Sequence, residues 1–196
     1  PKEESQKALD KLVKEGKVRY LGTSNDTAYG LTKSNTIAHY EKLARFESIQ
    51  NNFSLLNRRF LDELSTVCKK ETISLLPYSP IAGGVLSGKY NQAFIDPKTR
   101  FGEYLHAGEP RQKAMYRRFV NDKTLGATKG YLEIAKRYDM SPVTLAVAWS
   151  THFDFVASTI IGARYASQLE ESFKALDIKL SQEILNECDK VNSELL

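Results

Sequence analysis

Apolar and polar positions along this chain switch repeatedly between a helical and a strand period. Residues 3–15 place Ala8, Leu9, Leu12 and Val13 on one face and reach Gly16 just past the last turn, which predicts an amphipathic helix with a glycine stop. KVRYL (17–21) reads as a strand, and a second helical period runs from Tyr29 to Ala44 through Leu31, Ile37, Ala38 and Leu43. FESIQNNF (46–53) alternates as a strand. Phe60, Leu61, Leu64, Val67 and Cys68 mark the next helix, and the apolar run Ile73-Ser74-Leu75-Leu76 predicts a short buried strand continuing to Tyr78. Residues 91–122 lack strong periodicity and read as a long loop with a short helix around 111–120. A helix follows over 125–138, and Ser141-Pro142 caps another that runs to Thr151 and holds the sole tryptophan, Trp149. FVASTII (155–161) predicts a fourth strand. Two helices close the chain, over 166–175 and 181–194, the second opened by Ser181.

Strands that alternate with helices imply parallel pairing through right-handed crossovers. The order fits a doubly wound sheet or part of a (β/α)8 barrel, since four strands fall short of closing eight. Composition changes this picture little: 196 residues, 41% hydrophobic and 27% charged, describe one globular domain spanning 1–196. A net charge of +4 with both signs mixed predicts no nucleic-acid or membrane surface, and the pairs Arg58-Arg59 and Arg117-Arg118 read as solvated helix faces. No apolar run approaches the ~18 residues of a membrane span. Two isolated cysteines, Cys68 and Cys188, suggest a reducing, cytoplasmic setting. The opening Pro1-Lys2-Glu3-Glu4 enters a helix without methionine or signal peptide, as expected of a piece of something longer.

Parallel α/β folds bind ligands at the carboxyl ends of their strands. Those ends carry Ser24-Asn25, Gln50-Asn51, Tyr78-Ser79 and Gly162-Ala163-Arg164, and after the third comes a loop with Gly83, Gly84 and Gly88 that lets backbone approach a ligand, ending on Lys89. Hydroxyl and amide groups can hold a carboxamide, Tyr78 can stack on a flat heterocycle, and Lys89 and Arg164 can meet phosphates. Together they suit a nicotinamide dinucleotide with an extra phosphate. Taken singly, Asn25 reads as a turn residue, Gln50 as a backbone partner and Tyr78 as a core aromatic. Their agreement in position carries the site.

Rival motifs fail on chemistry. Gly83 to Lys89 matches the G-x-x-x-x-G-K phosphate loop, but Tyr90 stands where Ser or Thr must hold magnesium. Tyr29 and Lys33 have Tyr-x-x-x-Lys spacing without a glycine fingerprint before them. His39, His106 and His152 lack metal-ligand spacing, and Ser24, Ser79 and Ser87 lack a nucleophile elbow.

GKVRYLGTSN (16–25), IQNNFSLLNR (49–58), LLPYSPIAGGVLSGKY (75–90), SPVTLAVAW (141–149) and IIGARYASQLEES (160–172) resemble the aldo-keto reductases, most closely the Tas-like branch that also includes potassium-channel β-subunits. The resemblance implies a (β/α)8 barrel whose strands five to eight this chain supplies, and NADPH lying across its mouth. It implies that Ser24, Asn25 and Gln50 hold the nicotinamide carboxamide, with Tyr78 stacked on the ring. Ser79, Pro80, Leu86, Ser87 and Lys89 would line the pyrophosphate, with Arg100 also reaching a phosphate. Gly162, Arg164, Gln168 and Glu171 would take the adenosine end, Arg164 near the 2′-phosphate. Ser172 stands where the family often has Asn. The family reduces small carbonyl compounds, and its catalytic Asp, Tyr, Lys and His precede the matched region, so this chain is expected to hold the cofactor without a proton donor. The alternative is an NADPH-sensing regulatory module akin to channel β-subunits. Unpaired strand edges further predict self-association.

Overall fold

A computed structural model describes residues 2–106 and 109–195; Pro1, two positions of the expected 91–122 loop and Leu196 lie outside them. The order opens α1 (Lys2–Lys14), β1 (Leu21–Ser24), α2 (Ala28–Glu41), β2 (Phe46–Asn52), α3 (Leu64–Glu71), β3 (Ser74–Tyr78). It continues α4 (Arg100–His106), α5 (Pro110–Phe119), α6 (Asp122–Arg137), α7 (Pro142–Thr151), α8 (Leu169–Lys174), α9 (Gln182–Ser193), with a 3-10 segment over Ala82–Ser87 after β3. The sheet is parallel in the order β1-β2-β3.

Three expectations need correction. The first strand begins at Leu21 rather than Lys17, because the end of α1 claims the preceding backbone: Lys17 and Val18 both donate to the Leu12 carbonyl around a left-handed Gly16. The region 91–122 carries the expected short helix as α5, but also a second, α4, whose mixed composition hides its period.

The fourth strand is reduced to two parallel bridges, Leu75 to Val156 and Tyr78 to Ile160. Leu75 exchanges both bonds with this segment, donating to Phe155 and accepting from Ala157. Pro77, the next residue of β3 turned that way, accepts from Ile160 at 2.7 Å but has no N–H to return. The ladder is broken there into two separate bridges.

Polar side chains fasten α1 and α2 to the start of β2 and the residues just before it. Asn35 of α2 donates to the Phe46 carbonyl and accepts from its N–H, at 3.1 and 2.9 Å. Gln6 and Asp10, rather than Ala8, are the buried residues of α1, and they hold the carbonyl and N–H of Ala44. The Lys14 ammonium and the Ala44 N–H hold the Asp10 carboxyl below its ordinary range.

Cross-strand register puts Ile49, Leu75 and Pro77 on one face and Ser24, Gln50, Asn52, Leu76 and Tyr78 on the other. The first face is buried under helices; the second stays partly open. Behind the buried face, Phe53 lies 4.8 Å from Trp149 and 5.2 Å from Phe153, and Phe60 stacks on Phe155 at 5.8 Å. Residues 144–150 of α7 are buried without exception. Arg58 is no solvated residue: its side chain is 10% exposed, its guanidinium sits 4.6 Å over Trp149, and it binds Asp189 and the Cys188 carbonyl.

Cys68 and Cys188 are enclosed in this core, and burial pushes their thiols up to about 11 and about 12. Only thiolate attacks disulfide reagents, so both should resist modification at pH 8 and react once urea unfolds the chain. Stoichiometric labelling of either within minutes in native buffer contradicts this packing.

Candidate functional site

Three strand ends meet on the open face. Ser24 closes β1 and donates from Oγ to the Gln50 carbonyl at 3.1 Å, and the Asn25 N–H donates to that same carbonyl at 3.0 Å. Asn25 then turns left-handed (φ 53°), a conformation Asn tolerates better than most residues. Its amide nitrogen donates to Ser24 Oγ at 3.2 Å, and its amide oxygen accepts from the Tyr78 hydroxyl at 2.8 Å. A continuous chain of hydrogen bonds thus ties β1, β2 and β3 and fixes the Tyr78 ring, half-buried, at the mouth. The phenolic hydroxyl is thus engaged with Asn25 while the ring face stays partly open. Gln50 shares this face by register with Ser24 and Leu76. The structure therefore brings Ser24, Asn25, Gln50 and Tyr78 together.

Ser79 (φ 55°) and Ala82 (φ 49°) turn the backbone sharply after β3. The glycines that follow hold backbone conformations that strain other residues, Gly83 at φ 66° and Gly84 at φ 96°. A Cβ on Gly83 would come within 2.8 Å of the Phe101 ring, and one on Gly84 within 2.8 Å of Lys89 Cε and Nζ. Lys89 itself is exposed, with Nζ 5.2 Å from the Tyr90 ring centroid, and Ser87 donates to the Gly84 carbonyl at 2.8 Å. Pro80 and Leu86 are buried, so only their backbone can face a ligand.

At the far end Gly162 borders open space, and Arg164 reaches across to the Lys98 carbonyl and to Glu103 Oε2 at 4.0 Å. Gln168 Oε1 accepts from the N–H groups of Arg164 (2.8 Å) and Tyr165 (3.3 Å). Glu171 is engaged with Lys174 at 2.7 Å and with Thr144, and the hydrogen bond from Lys174 leads the causes that hold its carboxyl below the ordinary range. Arg100 is exposed beside the rings of Phe101 and Tyr104. The predicted phosphate and adenosine contacts thus occupy a separate stretch from the four residues around Tyr78.

A cleft of about 580 Å³ opens beside Tyr78 and Asn25, with Asn51, Asn52, Arg59 and Arg118 in its wall. The side-chain oxygens of Asn51 and Asn52 are buried and lack partners among the described residues. Sequence reasoning missed this wall. Asn51 stood at a strand end already noted, but nothing in the arginine pairs distinguished Arg59 and Arg118 from solvated charges. Among the described residues no group of three or more His, Cys, Asp or Glu could hold a metal, and no helix is long and apolar enough to cross a membrane.

Parallel strands, crossover helices on one face and polar strand ends on the other define an α/β architecture of the (β/α)8 kind. The family model described as "Aldo/keto reductase family" matches residues 1–193, and the chain belongs to that family. It is 34% identical over 185 residues to "Protein tas" of Escherichia coli (strain K12), covering 94% of this chain and 51% of that protein. It is 32% identical over 181 residues to "Aldo-keto reductase" of Babesia bovis, covering 88% and 59%. It is 29% identical over 194 residues to "Probable voltage-gated potassium channel subunit beta" of Oryza sativa subsp. japonica, covering 97% and 57%. The chain spans about half the length of the curated relatives it matches.

The Tyr78–Asn25 bond should be measurable as coupling. In a double-mutant cycle, Tyr78→Phe and Asn25→Ala are expected to couple by about 0.5–1.5 kcal/mol in urea unfolding, the worth of one neutral hydrogen bond. Additive effects would mean that the bond contributes nothing.

Proposed function

We propose that this chain forms the cofactor-holding half, strands five to eight, of an NADPH-dependent aldo-keto reductase that converts aldehydes and ketones to alcohols. The observation that carries the reading is the Ser24–Asn25–Gln50–Tyr78 assembly, a hydrogen-bonded rim around a fixed aromatic ring at the strand ends. The residues fit the group. A nicotinamide stacked on the Tyr78 ring would present its carboxamide to Ser24, Asn25 and Gln50. The turn from Ser79 and Pro80 through Leu86 and Ser87 to Lys89 would follow the pyrophosphate, with Arg100 beside it. Gly162, Arg164, Gln168 and Glu171 would meet the adenosine, the Arg164 guanidinium opposite the 2′-phosphate.

NADPH, when bound, supplies hydride to a carbonyl carbon. The chain's own part is to hold the ring against one face and keep the strand ends rigid. In this reading Tyr78 is the platform and not the acid, its hydroxyl donating a hydrogen bond to Asn25. The acid that completes reduction would come from residues outside this chain, as in the family at large. A small carbonyl compound is the proposed substrate, the cytoplasm the proposed setting, and self-association through free strand edges the proposed fate of the chain alone. A regulatory reading, in which NADPH binding is sensed rather than turned over, draws on the likeness to the rice protein.

Titrating the full chain into NADPH while following its fluorescence tests the proposal. We expect saturable quenching, weakened about tenfold or more by Arg164→Ala for NADPH and little for NADH, because one charged contact is worth about 1.5–3 kcal/mol. Adding an aldehyde to the same sample should give no turnover. Absence of NADPH binding would remove the cofactor reading; turnover would show that these residues include an acid.

A further inference from the structure

A second cleft, of about 520 Å³, continues from the one beside Tyr78. The two share Asn52, Asn57, Arg59, Asp62 and Arg118, so one wall faces both. The second runs toward the start of α6, where Asn121 caps the helix and Lys123 stands in its first turn. Its charges are unbalanced. Arg59, Arg118 and Lys123 line it against a single carboxylate, Asp62. Among the described residues none of these three cations forms an ion pair: the closest contact of Arg59 is a long bond to Asn57 at 3.4 Å, and Arg118 lies 5.8 Å from the Phe119 ring centroid. Arg58 also reaches this lining, but its charge is already met by Asp189.

A further feature points to an occupant. Ser54 lines the cleft, is 0% exposed, and its hydroxyl has no partner among the described residues. A buried hydroxyl left unpaired costs about 1–3 kcal/mol, and an oxygen acceptor placed in the cleft would relieve that cost. Three cations and a buried unpaired hydroxyl line one cleft, and that is the chemistry of an oxyanion site. The remaining polar wall joins this point to the Tyr78 platform.

We infer that this cleft receives an oxyanion, a carboxylate or a phosphate ester, carried by the carbonyl substrate, with Arg59 and Arg118 as the specificity-determining pair. The inference rests on the proposed reductase reading and deepens it: the substrate class is an anionic aldehyde or ketone, its charge held at the α6 end and its carbonyl directed toward the ring on Tyr78.

Calorimetric titration of the full chain separates the two ideas. Benzoate and phenyl phosphate serve as oxyanion probes, benzamide as the neutral control, and NADPH is titrated independently. At least one oxyanion should bind about tenfold or more tightly than benzamide, and the two anions together tell carboxylate from phosphate preference. The double variant Arg59→Gln/Arg118→Gln should lose that preference while its NADPH affinity and urea midpoint stay unchanged, since both side chains are exposed. Equal binding of anions and benzamide by the unaltered chain overturns the inference, as does an oxyanion preference that survives the double substitution. Loss of NADPH affinity in the double variant would reassign the arginines to the cofactor and overturn it too. Oxyanion binding without NADPH binding would remove the reductase reading and leave the subsite standing.

Discussion

A sheet has two faces, and this chain covers one. The helices that follow β1, β2 and β3 all pack behind Ile49, Leu75 and Pro77, where Phe53, Trp149 and Phe155 form a continuous aromatic body. The other face keeps Ser24, Gln50, Asn52 and Tyr78 within reach of solvent. Small and polar side chains belong on a surface that must stay open, and an apolar set belongs on the surface that excludes water. Every other arrangement in the molecule follows from that division. The strand ends can gather hydrogen-bonding groups because the opposite face supplies the burial that holds the strands in place.

Polar groups fasten this architecture where apolar packing alone would leave it free to slide. Asn35 clamps α2 to one residue of β2, and Gln6 and Asp10 clamp α1 to Ala44 by both backbone groups. Arg58 joins the β2 loop to α9 across the face of Trp149. A buried polar group stabilises only the geometry that pairs it, so these contacts select one register among many that hydrophobic contact would permit.

Much of this was legible in the order of residues. Ser141-Pro142 and Ser181 start helices as their chemistry requires, each accepting an N–H three residues on. The alternation at 46–53 and the apolar run at 73–76 became strands, and Ser24, Asn25 and Gln50, though not Arg164, gather around Tyr78. What was illegible depended on distant partners. KVRYL has strand propensity, but its first two N–H groups are taken by the helix before it. Arg58 looked like surface until Trp149, far along the chain, was seen beneath it. Nor does the order of residues show that the Phe101 ring fills the space a side chain at Gly83 would need. Sequence period reports local geometry; it carries no record of which side chain will arrive from elsewhere.

The missing N–H of Pro77 reaches further than a shortened ladder. Beyond Leu75, the segment leading to Gly162 and Arg164 meets β3 again only at the Tyr78–Ile160 bridge, among the described residues, with Ile160 donating to the Pro77 carbonyl. Tyr78, by contrast, is laced to β2 and locked to Asn25. The two ends of the rim are therefore mounted differently, one on a continuous ladder and the other on two separate bridges. One imino acid thus sets the two on different footings.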